Sequence, residues 1–330
     1  MTLSARVFLQ LLAVAVLGMP FDAGTQQAQR SARLGILYSG SPATSSPATD
    51  AFLKRLAVLG WVEGKNLVVA RRYAEHPDRF PALAAELVAQ KVSVILTPGP
   101  LPTRAAVAAT RSVPIVMVAF TDPVAAGLVA SLARPGENLT GLTVAHPGQY
   151  TGKRLELLKQ AIPGLGQVVA LWDASLTPPA REWTEVLDRE ARTLGLRLEH
   201  ATVRNAAEID AAFGSARARG VGAVLVMETP LFSINASLIA ESCVKHRLPA
   251  MTLFSQAVER GALVSYGPNL IDLFLRAAEQ VDRILRGESP ASIPIEQPST
   301  FDLVINLKTA KAIGITIPPA FLLRANKVIE

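Results

Sequence analysis

Residues 34–44, LGILYSGSPAT, constrain this chain more than any other stretch. Leu34, Ile36 and Leu37 read as a buried strand that stops at Ser39-Gly40-Ser41-Pro42, and a helical pattern follows from about Asp50. An apolar strand that runs into a small polar loop and then a helix is the first step of an open parallel sheet. In such sheets ligands sit beyond the carboxyl ends of the strands, over helix amino termini. The step recurs. Residues 92–96 run into Thr97-Pro98-Gly99-Pro100, and 115–119 into Phe120-Thr121-Asp122-Pro123. Further on, 168–172 run into Asp173-Ala174-Ser175-Leu176, and 223–227 into Glu228-Thr229-Pro230.

Between these strands lie amphipathic helices. Phe80, Leu83, Leu87 and Val88 form one apolar stripe, and Leu270, Leu273, Phe274, Ala277, Val281 and Ile284 form a longer one capped by Asn269. Asp122 as cap and Pro123 at the first helical position predict a helix running to about Ala133. Residues 301–305 read as the last strand, followed by two short helices. The pattern restarts near 144–150, so the chain holds two successive βα runs. Right-handed crossovers place each run in its own parallel sheet with helices on both faces. The expected class is therefore α/β, two doubly wound lobes joined by a hinge. Residues 33–144 with about 262–290 are expected to make the first lobe, and 145–261 with about 291–330 the second.

With 330 residues the chain is long enough for two such cores. Its net charge of +6 is spread among acids on helix faces, with no basic block and no aromatic interleaving, so a nucleic-acid groove is not expected. The one cysteine, Cys243, excludes an intramolecular disulfide and reads as a small core residue. His76, His146, His200 and His246 have no partner at metal-ligand spacing. The sequence has no GxSxG elbow, no P-loop and no HExxH, so neither an enzyme nor a metal or cofactor site is expected. At the amino terminus, a positive residue precedes an apolar run over 7–19, then Pro20 and a polar stretch. That is the layout of a cleaved secretory signal, ending near residue 28, and it predicts a periplasmic chain.

Several segments carry a resemblance to a known family. They are residues 56–67 (LAVLGWVEGKNL), 79–88 (RFPALAAELV), 122–124 (DPV) with 127–132 (GLVASL), 134–141 (RPGENLTG), 153–158 (KRLELL) and 301–311 (FDLVINLKTAK). Together they resemble the TrpX-like solute-binding proteins of ABC transporters, of the periplasmic-binding-protein type I fold, over nearly all of 33–330. The resemblance implies a two-lobed receptor that hands a small solute, an amino acid or similar organic acid and often an aromatic one, to an inner-membrane permease. It implies a monomer that closes about its hinge on the ligand. A sensor of the same fold feeding a membrane signalling partner is the alternative. Two loops depart from the family pattern: Asp173-Ala174-Ser175-Leu176 is not rich in Asn and Pro, and Phe120-Thr121 stands where a glycine is common.

The candidate binding residues all lie at strand ends. Ser39, Gly40 and Ser41 suit a carboxylate or a simple capping loop. Thr97, Gly99 and Pro100 suit a second wall or a structural turn. Asp122 suits an ammonium group or a helix cap, with Thr121 beside it as a hydrogen-bonding group. Asp173, Ser175, Glu228 and Thr229 are the polar groups of the second run. Phe120, Phe254 and Tyr266 suit an apolar ligand side chain or ordinary core.

Overall fold

Strands buried on both faces make the two sheets. In the first strand, β1 (Ala32–Ser39), Leu34 and Ile36 enter one apolar cluster while Leu37 enters another. Successive strand residues point to opposite faces, so a continuous apolar run is what a sheet covered on both sides demands. The same alternation recurs in β6 (Gln167–Asp173), where Val168, Ala170 and Trp172 face one cluster and Val169 and Leu171 the other. The computed structural model describes residues 31–42, 47–120, 122–144, 148–174, 181–227 and 229–330. The expected signal segment at 1–28 lies outside the described residues. Among the described residues no helix is long and apolar enough to cross a membrane.

The first sheet joins β1 with β2 (Leu67–Ala74), β3 (Val94–Pro98), β4 (Ile115–Phe120) and β5 (Leu139–Thr143) in the order β2-β1-β3-β4-β5. All its pairings are parallel. The second contains β6, β7 (Arg197–Val203), β8 (Ala223–Val226), β9 (Ala250–Thr252), β10 (Val264–Pro268), β11 (Phe301–Asn306) and β12 (Lys327–Ile329). Its order is β12-β11-β10-β9-β8-β6-β7. Here β10 and β11 pair antiparallel, so the last two strands run against the rest. The expected class, two α/β lobes on separate and mainly parallel sheets, holds. The strand β12, which the sequence reading lacks, is three residues long and makes one edge of its sheet.

The stretch expected to return to the first lobe, about 262–290, is divided. Its strand β10 is hydrogen-bonded into the second sheet, whereas the helix Leu270–Leu285 docks on the first. Leu273, Phe274, Ala277, Ala278, Val281 and Ile284 bury there at spacings of three and four. Phe274 meets Phe52 edge-on with ring centroids 6.4 Å apart, and each large side chain so buried contributes about 1.5–3 kcal/mol. The chain then stays with the first sheet further than expected. Ile293 and Ile295 are buried in its clusters, and the Glu296 carbonyl accepts from Thr143 N at 2.9 Å before β11 begins in the second sheet. The chain thus passes between the sheets three times: after β5, after β10 and after Glu296.

The helix expected over 123–133 is a series of turns. Asp122 and Pro123 do start one, with Ala126 N bonded to Asp122 O at 3.1 Å and Leu128 N to Pro123 O at 2.9 Å. Gly127, at φ +67°, then takes the left-handed conformation that ends a helix after a single turn. Next to this segment β4 and β5 slip in register between Met117 and Phe120, and Ala119 sits at φ +59°. Gly141 on β5 has φ +137°, and a Cβ there would lie 2.0 Å from the Met117 carbonyl oxygen, so only glycine permits this approach of β5 to β4.

Candidate functional site at the strand ends

The carboxyl ends of the strands of both sheets gather the sequence-predicted residues. At the end of β1, Gly40 at φ +96° turns the chain and donates its N–H to Ala74 O at 2.9 Å, with Ser39 and Ser41 half-buried on either side. At the end of β3, Thr97 is fully buried and its Oγ1 lies 2.9 Å from Thr103 Oγ1. Thr103 in turn donates to Gly99 O at 2.8 Å, and Gly99 N donates to Val118 O. Gly99 and Pro100 open the helix Pro100–Ala109. Thr97 is thereby held inside the turn, away from solvent. Asp122 Oδ1 accepts from Val124 N at 3.0 Å and Ala125 N at 2.9 Å, the geometry of a cap. Phe120 closes β4 opposite Thr143, and its side chain, like Thr121, Ser175 and Glu228 entirely, lies outside the described residues.

On the second sheet the side chains reach across from strand to strand. Thr229, just past β8, donates to Oδ2 of the buried Asp173 at the end of β6, 3.0 Å away. Phe254, just past β9, and Tyr266 on β10 pack with Leu253, Tyr150 and Phe301 in a small apolar cluster. Phe254 also packs on the main cluster of the first sheet, which Tyr38 and Ala119 adjoin from the ends of β1 and β4. Phe254 therefore packs on an apolar cluster of each lobe.

Three residues of this region escape a reading of single loops. Tyr150 and Arg154 lie one turn apart on the helix Gly148–Ala161, and Phe301 starts β11. Arg154 is buried and donates through Nη2 to Val226 O at 2.7 Å and Met251 O at 3.3 Å, bracing the ends of β8 and β9. Burial pushes the Tyr150 phenol well above its ordinary range, with the Arg154 cation opposing the shift in part. The available signal is the spacing of Tyr150, Arg154, Leu157 and Leu158, which sets an arginine on the buried face of a helix. On the first sheet Tyr38 stacks on Tyr73, centroids 4.8 Å apart and planes 9° apart, and burial raises its phenol to about 12.

Other polar residues have local partners. Trp172 Nε1 donates to His200 Nδ1 at 2.9 Å, and His200 Nε2 lies 3.0 Å from Asp188 Oδ1. His246 lies 2.9 Å from Asp210 Oδ1, and Cys243 is buried with its thiol pushed up to about 12. Among the described residues no three His, Cys, Asp or Glu side chains could hold a metal ion. A cavity of about 400 Å³ lies beside residues 162–167, at the amino end of β6 and so away from these strand ends.

Two α/β lobes, three chain crossings and polar loops at both sets of strand ends define a two-lobed binding protein of the periplasmic-binding-protein type I class. The chain belongs to the family described as ABC transporter substrate binding protein, whose model matches residues 42–329. A tyrosine-binding protein of Clostridioides difficile (strain R20291) is 24% identical over 333 residues, covering 95% of this chain and 94% of that one. A structure described as the ABC domain in complex with L-Trp from Streptococcus pneumonia shares 26% identity with a TM-score of 0.79, covering 91% of this chain and 100% of the other. A conserved domain protein from Vibrio cholerae O1 biovar El Tor str. N16961 shares 28% with a TM-score of 0.80 over the same shares. The family binds substrates and does not transform them.

Proposed function

We propose that this chain is the periplasmic receptor of an ABC importer, secreted through a cleaved signal, and that it binds an amino acid with an aromatic side chain between its lobes. The observation that carries this reading is Phe254, which packs both on the aromatic cluster at the strand ends of the second sheet and on the main apolar cluster of the first lobe. Relatives that bind tyrosine and L-Trp support it. In this reading the loop Ser39-Gly40-Ser41 receives the carboxylate through hydroxyl and N–H donors. Asp122 and the Asp173–Thr229 pair face the ammonium group from the two lobes, joined by Glu228, while Thr121 and Ser175 add hydrogen bonds. Phe120, Phe254 and Tyr266 pack the side chain. The ligand bridges the lobes and so selects the closed state, which the permease reads.

A thermal-shift screen of amino acids, organic acids and sugars tests the reading. A ligand at a hundred times its Kd adds about 2.7 kcal/mol, which moves Tm by a few degrees. A shift with tryptophan, tyrosine or phenylalanine is the expected result. Silence across all amino acids, with folded protein verified by circular dichroism, refutes it.

A further inference from the structure

We propose that the cavity at the amino end of β6 is a second binding site, one that takes a small amphiphilic anion (an apolar body carrying a single negative group) with Arg197 as its charge partner. The site stands on its own residues and does not rest on the amino-acid reading above.

The strands β7 and β8 flank β6 and run parallel to it, so the turns that enter these three strands lie side by side, at the pole of the second lobe opposite the candidate site. The cavity lies among these turns and holds about 400 Å³, within the range of about 300–1,000 Å³ that small-molecule sites occupy. Ile162, Pro163 and Leu165 give it an apolar side, and Ile162 and Leu165 are anchored in the main cluster of the lobe. Gly166 and Gly220 keep it open, since a Cβ on either would meet no atom within 4 Å.

The turns, residues 159–167, 192–199 and 215–222, hold Lys159, Arg192, Arg197, Arg217 and Arg219, all exposed, against one acid, Glu199. Four of the five cations have other work. Lys159, Arg192 and Arg217 sit in the last turns of their helices, where a cation complements the helix dipole. Arg219 donates through Nε to Glu199 Oε2 at 3.2 Å, and Gln167 Nε2 donates to Glu199 Oε1 at 2.7 Å. Both carboxylate oxygens are thereby engaged at short range. Arg197 stands 3.8 Å from Oε1 with its side chain 74% exposed, and of the five it is the one that lines the cavity. It starts a strand, so no helix dipole accounts for it. A guanidinium beside an apolar wall suits a ligand that gains a charge-assisted hydrogen bond and buries apolar area together. A bare inorganic anion would use the arginine alone, and a neutral apolar molecule the wall alone.

The probe is 8-anilinonaphthalene-1-sulfonate, an aromatic body with one sulfonate, titrated by its fluorescence into the full chain with and without saturating tryptophan. One saturable site that tryptophan does not displace is expected. Arg197→Gln is expected to weaken it about tenfold, whereas Arg204→Gln, which removes the same charge beyond the other end of β7, leaves it unchanged. Gly166→Leu narrows the cavity at an exposed position outside the left-handed region, and is expected to weaken binding at least tenfold while circular dichroism stays that of the wild type. Absence of saturable binding, displacement by tryptophan, wild-type affinity in Arg197→Gln or Gly166→Leu, or equal weakening in Arg204→Gln overturns the site. Failure of tryptophan itself to bind bears only on the amino-acid reading.

Discussion

The two sets of strand ends are built differently. At the first sheet, polar side chains are tied within their own turns, Thr97 to Thr103 and Asp122 to the amides of Val124 and Ala125, and the backbone makes the link between strands, Gly40 N to Ala74 O at the end of β2. At the second sheet, side chains run between elements: Thr229 to Asp173, Arg154 to the ends of β8 and β9, and Phe301 between Tyr150 and Tyr266. The first lobe offers a preset backbone surface and the second a set of coupled side chains. A lobe of the first kind tolerates loss of one side chain, because neighbouring turns stand without it. A lobe of the second kind does not, because each side chain holds two strands at once.

The sharpest break in this comparison comes from glycine. Gly141→Ala and Gly267→Ala each put a Cβ against a carbonyl oxygen of the neighbouring strand, Met117 O and Leu253 O respectively. Each is expected to cost roughly 4 kcal/mol, read as the change in urea midpoint multiplied by the slope. Only Gly267→Ala is expected to alter ligand preference in what still folds, since it moves Leu253 and Tyr266 apart. Equal effects of both on preference would erase the difference between the lobes.

Next in size is the contrast between Arg154 and Thr103. Arg154→Met removes the buried donor to Val226 O and Met251 O and is expected to cost about 3 kcal/mol. Thr103→Val releases Thr97 and Gly99 O and is expected to cost about 1 kcal/mol. Chemical denaturation of the two variants side by side checks the order, and a reversed order would place the critical brace in the first lobe.

The same contrast explains what could be read from the sequence. Turns that satisfy themselves leave local signals, so the loops at Ser39-Gly40, Gly99 and Asp122 stand out as strand-to-helix steps, and the alternation of Leu34, Ile36 and Leu37 gives the sheet away. Contacts between distant elements leave none. Nothing near Arg154 announces Val226, 72 residues on, and Phe301 meets Tyr150 only because β11 runs against β10. The division at 268–270 has the same cause: the stripe of the Leu270–Leu285 helix shows that it is buried but not on which sheet. The turns after Asp122 were hidden for a local reason, since a single Gly127 decides between a helix and one turn.

The smallest effect concerns charge on the second lobe's outer helices. Lys245 and then His246 and Ser242, all hydrogen-bonded to Asp210, pull its carboxyl from 3.8 down to about 2, while burial opposes them. A folded-state pKa below the unfolded one means that the contribution is complete above about pH 4 and fades as pH falls through about 2. The group is partly solvated, so its share is at most about 1 kcal/mol at neutral pH. Asp210→Asn should therefore melt slightly below the wild type at pH 7 and together with it near pH 2. On the first lobe Arg71, paired with Glu63 at 2.7 and 2.8 Å, lowers that carboxyl too, so Glu63→Gln should show the same sign. If the Asp210 variant keeps its deficit at low pH, the loss comes from the packing of Ser242 and His246 and not from charge, and the side-chain coupling of the second lobe extends to its outer surface.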